Sequence, residues 1–257
     1  MGSGVGAVLH EHGLRVLTVL DGRGPASRAR AERAGMVGVD LQSFVIDSDV
    51  ILSIVPPAAA CDIAQQVAAV VRETRANVLY ADCNAIAPGT ARAVAEIVTG
   101  AGARFADAGI IGPPPTRPGN RFFASGGGAS DLAQLTQFGL DVRVLQGEVG
   151  QASALKMCYA ALTKGLQALG AELLAASRLL GVEDTLAEEQ NQGDVALIRA
   201  FIERSIPSML PKAYRWVGEM EEIARTFEDV GLPGRIMLGA ADVYRDVTAG
   251  GLLRQNL

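Results

Sequence analysis

The chain has 257 residues, 49% of them apolar and 20% charged, which is enough to bury a sizeable core and excludes a disordered protein. A net charge of -5 with no basic run argues against nucleic acid as a partner. Cys61, Cys83 and Cys158 are odd in number and far apart, which argues against a disulfide framework or zinc site and for a reducing cytoplasm.

The chain opens MGSGVGAVLHEHGLRVLTVLD. Residues 2–7, GSGVGA, satisfy G-x-G-x-x-G/A as a string, but that fingerprint requires a strand ahead of it. It also requires a helix whose first N–H groups face a pyrophosphate. Taken as a complete loop, GSGVGA leaves under two helical turns before Gly13. Taken with Gly2 as the last fingerprint glycine, it leaves about three turns. Asp21 then falls where a ribose-binding acid follows the next strand. This second register is the expectation, and it places a first strand and two glycines ahead of Met1. The self-contained loop and a plain N-terminal helix of another α/β fold are the alternatives. No basic leader precedes an apolar segment here, so no signal peptide is expected.

Strands are predicted at residues 15–21, 50–56, 78–84, 103–110, 121–127 and 142–147. Helical patterns fill residues 26–35, 58–75, 88–102 and 130–138, the last with Ser130 as its N-cap. Such alternation is the signature of a parallel sheet wound with helices. Beyond Gly150 the strand signal ends. Residues 151–181 form one long Ala/Leu-rich helical pattern, and the remainder reads helical, broken by Pro207, Pro211, Gly231 and Pro233. Lys156, Lys164, Glu172 and Arg178 are too many charges for a membrane span in that stretch. The expected architecture is an α/β Rossmann-type domain over residues 1–149, N-terminally truncated, followed by an all-α domain over residues 150–257.

Several motifs together resemble the β-hydroxyacid dehydrogenase group, relatives of 6-phosphogluconate dehydrogenase. Met1-Gly2 matches the end of that group's G-x-G-x-M-G. DSDVILSIVPP (residues 47–57) is similar to its fourth-strand segment, YADCNAIAPGT (80–90) to its D-x-S/N-T-x-x-P element, and FADAGIIGPPP (105–115) to its substrate loop. GEVGQASALKMCYAAL (147–162) resembles G-x-x-G-x-G-x-x-x-K, the start of an interdomain helix carrying the catalytic lysine. AYRWVGEMEEIARTFEDVGLP (213–233) is similar to a subset with a C-terminal domain of unknown function. The resemblance implies Gly2, Ser3, Val55, Pro56 and Asn84 at a nicotinamide cofactor, Gly109 at the substrate, and a helical domain that forms a homodimer. Ala160, Ile111 and Met220-Glu221 stand where the group usually has Asn, Ser and Lys-Asp. Imine reductases share this architecture.

Hydride transfer to a carbonyl carbon needs a proton relay with a pKa near the working pH. His10 and His12 sit two apart on one helix and read as solvated. Lys156, one turn into an apolar helix, is the candidate, since burial lowers an amine's pKa; a snorkelling surface lysine is the alternative. Tyr159, Thr163 and Gln167 lie within about 60° of it on an ideal helix. Tyr159 either donates to substrate or is simply buried; Lys164 reads as a surface residue. Asp107 ends a strand and either orients substrate or forms a turn before Gly109. Asn84 is either an amide ligand or a loop residue. Cys83 reads as a buried hydrophobe, Glu219, Glu221 and Glu222 as a solvated helix face, and no metal cluster is evident. Asp21 favours the ribose hydroxyls of NAD, whereas Arg23, Ser27 and Arg28 suit a 2′-phosphate. The expectation is an NAD(P)-dependent oxidoreductase, with NADP ahead of NAD, acting on a small hydroxyacid-like or carbonyl substrate between the domains. An imine or ketimine reductase and a non-catalytic dinucleotide-binding scaffold are the alternatives.

Overall fold

The computed structural model describes residues 1–257, which divide into two compact units, Met1–Lys156 and Met157–Leu257. The first unit begins with helix α1 (Gly2–Glu11), so GSGVGA is helix and not a free-standing phosphate loop. Val5, Val8 and Leu9 supply its buried face, and Gly13, at φ +89°, lies just beyond its end. Strand β1 (Leu17–Val19), α2 (Pro25–Arg33), β2 (Val37–Val39) and α3 (Leu41–Ile46) follow. Neither β2 nor α3 was legible in the sequence. The strand is only Val-Gly-Val and largely exposed; the helix is capped by Asp40, whose Oδ1 accepts from Ser43 N at 2.9 Å.

Strand β3 (Val50–Ser53), α4 (Ala60–Thr74), β4 (Leu79–Asp82), α5 (Pro88–Thr99) and β5 (Arg104–Ile111) form a wound parallel segment. Period-two alternation sorts its residues. Tyr80 and Phe105 face the α4–α5 layer, while Leu79, Ala81, Ala106, Ala108 and Ile110 face α1. The next strand, β6 (Arg121–Ser125), runs antiparallel to β5, a local departure within the wound parallel sheet. Its hairpin-like return follows directly from GPPPTRPGN, which leaves no room for a crossover helix. Ser130 does not cap the following helix. Gly128 is the N-cap of α6 (Ala129–Leu132), which continues as a 3₁₀ turn over Ala133–Phe138 before β7 (Val142–Val144).

The strands form two separate sheets, β1-β2 and β3-β4-β5-β6-β7. Val16 O accepts from Val37 N on the β2 side, and Asp49 O and Ser53 O accept from Leu79 N and Cys83 N on the β4 side. Backbone groups alternate in direction along a strand. Leu17, Val19, Val50 and Leu52 therefore turn theirs toward a cavity of about 930 Å³ between β1 and β3. Val5, Gly6 and Leu9 of α1 line it as well. One further parallel strand would pair both edges. Fusing a short β-branched strand ahead of Met1 is expected to raise the melting temperature by about 5–10 °C, from a few added hydrogen bonds and apolar contacts. An unchanged melting temperature would show that the two edges do not accept a strand.

Helix α7 (Gln151–Leu179) carries the chain from the first unit into the second. The second unit continues with α8 (Glu183–Gln190), α9 (Val195–Met209), α10 (Ala213–Glu228), α11 (Arg235–Ala249) and α12 (Leu252–Gln255). Pro207 lies inside α9 instead of ending it, while Pro211 falls in the 3₁₀ turn Leu210–Lys212. Helices α10 and α11 bury Met220, Ile223, Ala240 and Val247, and Trp216 meets Tyr244 edge-on at 5.3 Å. The glutamates of α10 are not a solvated face: Glu222 is buried and pairs with Arg225, and Glu221 pairs with Arg245. Lys164 is likewise no surface residue. It pairs with Glu219 and lies 5.3 Å from the centre of the Trp216 ring. No helix is long and apolar enough to cross a membrane.

Candidate cofactor and catalytic site

The carboxyl ends of the parallel strands and the N-terminus of α1 meet at one end of the first unit. Gly2, Asp21, Arg23 and Val55 all line the 930 Å³ cavity. Ser3 stands beside Gly2 in the first turn of α1, whereas Pro56 is exposed and neither it nor Ser3 is part of the cavity wall. Met1 O accepts from Gly4 N and Val5 N, at 2.9 and 3.1 Å. The amides of Gly2 and Ser3 have no such partner within the helix and are the donors an anion would take. Asp21 and Arg23 are exposed, and Arg28 Nε donates to Arg23 O at 3.0 Å, folding one guanidinium back over the turn. An apolar wall, free helix-terminal amides, an acid and nearby arginines fit a dinucleotide.

A buried polar network joins the ends of β3 and β4. Asn84 is 2% exposed, and its amide is fully engaged. Its Oδ1 accepts from Val55 N at 2.6 Å, and its Nδ2 donates to Ser53 Oγ at 3.0 Å and to Asp82 Oδ2 at 2.9 Å. With both amide protons in use, Asn84 braces the crevice and has no donor left for a ligand. Burial, opposed by hydrogen bonds from Asn84 and assisted by Asp107, pushes the Asp82 carboxyl up to about 6. Cys83 is buried, and the same burial drives its thiol up, so it is no nucleophile at neutral pH.

Asp107, opposite Asp82 in the β4–β5 register, is fully buried and is neither an open ligand nor a turn former. Its Oδ2 accepts from Ser125 Oγ, Gly150 N and Ser153 N at 2.9–3.0 Å, and its Oδ1 accepts from Ser153 Oγ at 2.6 Å. It therefore caps the N-terminus of α7, where a carboxylate also meets the positive end of the helix dipole. Ala152 N donates to Ser125 Oγ at 3.0 Å, which completes the clamp. The sequence offered no local signal for this: the partners lie 18 to 46 residues away.

The clamp sets the first turns of α7 against β5, and Gly109 permits the approach. A Cβ there would stand 2.7 Å from Ala152 O and 3.0 Å from Lys156 Cβ. Gly109 thus serves packing beneath Lys156 and leaves no surface for substrate. Lys156 is half-buried, and its Nζ donates to Ile110 O. Desolvation lowers its ammonium pKa to about 8. Tyr159 is 45% exposed, and Thr163 Oγ1 donates back to Tyr159 O at 3.1 Å; Gln167 is buried and bonds Thr163 O. His10 and His12 are exposed.

Residues 1–138 match the NAD binding domain of 6-phosphogluconate dehydrogenase. The chain belongs to that NAD-binding family. Residues 177–247 match a domain of unknown function, DUF1932. An uncharacterized 28.5 kDa protein of Methanothermus fervidus, named for the 7S RNA 5′ region, is 30% identical over 183 residues, 70% of this chain and 69% of that protein. A solved conserved protein of unknown function, described as structurally similar to 3-hydroxyacid dehydrogenases, shares 28% identity with a TM-score of 0.69, over 96% of this chain and 94% of its own. The 3-hydroxyisobutyrate dehydrogenase of Mycobacterium tuberculosis shares the fold, with a TM-score of 0.71 at 17% identity over 99% and 95% of the two chains. The family match gives residues 1–138 as an NAD-binding domain, and the cavity lined by Gly2, Asp21 and Arg23 lies within that stretch.

Proposed function

We propose that the protein is an NAD(P)-dependent oxidoreductase of the hydroxyacid dehydrogenase type, with Lys156 as its proton relay. The observation that carries this is a desolvated lysine, held beside the strand ends of an NAD-binding domain by a buried aspartate clamp. Gly2 and Ser3 would hold the pyrophosphate through their amides, and Asp21 with Arg23 would hold the adenosine ribose or its 2′-phosphate. The nicotinamide, when bound, supplies or takes up the hydride. Lys156 holds a proton as ammonium for the carbonyl oxygen in reduction, and as neutral amine accepts one from the hydroxyl in oxidation. Asn84 and Val55 shape the cofactor-side wall, and Asp107 and Gly109 fix the lysine. Tyr159 and Thr163, which follow Lys156 on α7, are the candidates for contacting a small hydroxyacid-like or carbonyl substrate. Exposed Leu162 and Leu169 on α7 support a homodimer formed through the helical unit.

Titration of NADPH and NADH, followed by nicotinamide fluorescence, tests the cofactor assignment. Saturable binding is expected, tighter for NADPH, and Arg23→Ala is expected to reduce that preference about tenfold by loss of a charge-assisted contact. Equal binding of both cofactors, unchanged in the variant, would assign the arginine no part in the choice.

A further inference from the structure

We infer that Asp82 is a positioning residue that fixes the direction of the Asn84 amide, and through it the Val55 backbone at the cofactor wall. The role of Val55 at the cofactor rests on the oxidoreductase reading above; the clamp itself rests on geometry. An amide side chain can lie in either of two orientations, with oxygen and nitrogen exchanged. Here only one satisfies every partner. Val55 N is a donor and requires the Asn84 oxygen, which it meets at 2.6 Å. Asp82 Oδ2 is an acceptor and requires the nitrogen, at 2.9 Å. Ser53 Oγ can serve either way, so Asp82 is the side chain that holds the nitrogen end and selects the same orientation that Val55 N requires. Its other oxygen accepts from Asn84 N at 2.9 Å and holds the backbone of the same residue. All of this is buried: Asp82 is 0%, Asn84 2% and Ser53 4% exposed.

The clamp is pH-dependent. A protonated Asp82 presents an O–H toward an amide that is itself donating, so the preference for one orientation weakens. The titratable groups facing Asp82 are Asp107 on β5, Tyr80 on its own strand and Cys83 just after it, with Cys61 of α4 further off beside Tyr80. The neutral Ser53 faces it from β3. The neighbouring Asp107 charge favours protonation, and the carboxyl titrates near 6. The clamp is therefore firm above neutrality and loosens as pH falls through that value.

The test uses the full chain and two readouts. Hydrogen exchange of the Val55 amide reports the clamp without any cofactor, and the NADPH dissociation constant reports its consequence. In the unaltered protein, Val55 exchange protection is expected to fall and the dissociation constant to rise about fivefold between pH 7.5 and 5.5. Asp82→Asn is expected to expose the Val55 amide and weaken NADPH about tenfold at pH 7.5, with a flat pH profile. The exchanged pair Asp82→Asn with Asn84→Asp restores a donor facing an acceptor between the two positions and an acceptor for Val55. It is expected to recover protection and affinity. Val55 protection unchanged in Asp82→Asn, or no recovery in the exchanged pair when it folds normally, would overturn the clamp. Clean exchange results with no NADPH binding in any form would leave the clamp standing and count against the cofactor reading alone.

Discussion

Replacement of Lys156 by alanine is expected to lower turnover by 10²–10⁴-fold while leaving cofactor affinity within about twofold, the range typical of losing a general acid or base. Burial holds the Lys156 pKa near 8, below its ordinary 10.5. Oxidation needs the neutral amine, so its rate should rise with pH to a plateau above about 8. Reduction needs the ammonium, so its rate should fall across the same range. Lys156→Arg keeps the charge but cannot release it, and the oxidative plateau should vanish. Stability follows the same titration with the opposite sense to a salt-bridged lysine. The folded-state pKa is depressed, so the stability cost of burying the amine grows as pH falls from its ordinary 10.5 and is complete below about 8. Lys156→Met is therefore expected to melt at least as high as the unaltered protein at pH 7. Turnover of Lys156→Ala within threefold of the parent would remove the lysine from the chemistry.

Replacement of Asp107 by alanine is expected to cost roughly 3–5 kcal/mol, because it strands several buried donors at once. Gly150 N, Ser153 N, Ser153 Oγ and Ser125 Oγ would all lose their acceptor. Urea denaturation should show the loss, with the melting temperature lower by about 10 °C or more. Asp107→Asn keeps one acceptor oxygen and should lie between the two. A variant melting within 2 °C of the parent would mean that α7 does not depend on this cap. Because Lys156 lies one turn beyond the capped residues, activity should fall in both variants under conditions where they remain folded.

Legibility divided along the line between local and distant causes. Period-two runs such as VILS and RFADAGII, and amphipathic runs such as that of α4, carry their own signal, and the structure places strands and a helix there. The helix at Gly2 was legible from turn counting, since Gly13 closes it. Strand β2 was not, because three exposed residues have no alternation to read. The reversal of β6 follows from the short proline loop after β5, and strand periodicity alone, which is the same for parallel and antiparallel neighbours, does not show it. At the site, Lys156 was legible as a candidate because it lies one turn into an apolar helix. The roles of Asp107, Asn84 and Gly109 were not, since each is decided by partners brought in from other strands. The same holds for Asp82, which precedes Asn84 by two residues and gains its meaning only from Ser53 and Val55 across the sheet. Lys164 and Glu219 misread as surface charges for the same reason: their pairing beside Trp216 exists only in the folded helical unit.

The most direct measurement of the central claim is the oxidation of NADPH by the purified chain, followed at pH 7 with a panel of small β-keto acids, aldehyde acids and cyclic imines. The account predicts turnover with an oxo-acid substrate, abolished in Lys156→Ala, with no comparable rate on the imines. Turnover confined to the imines would make the protein a C=N reductase. Tight NADPH binding without turnover on any of them, unaltered by Lys156→Ala, would contradict the enzymatic reading and leave a dinucleotide-binding protein.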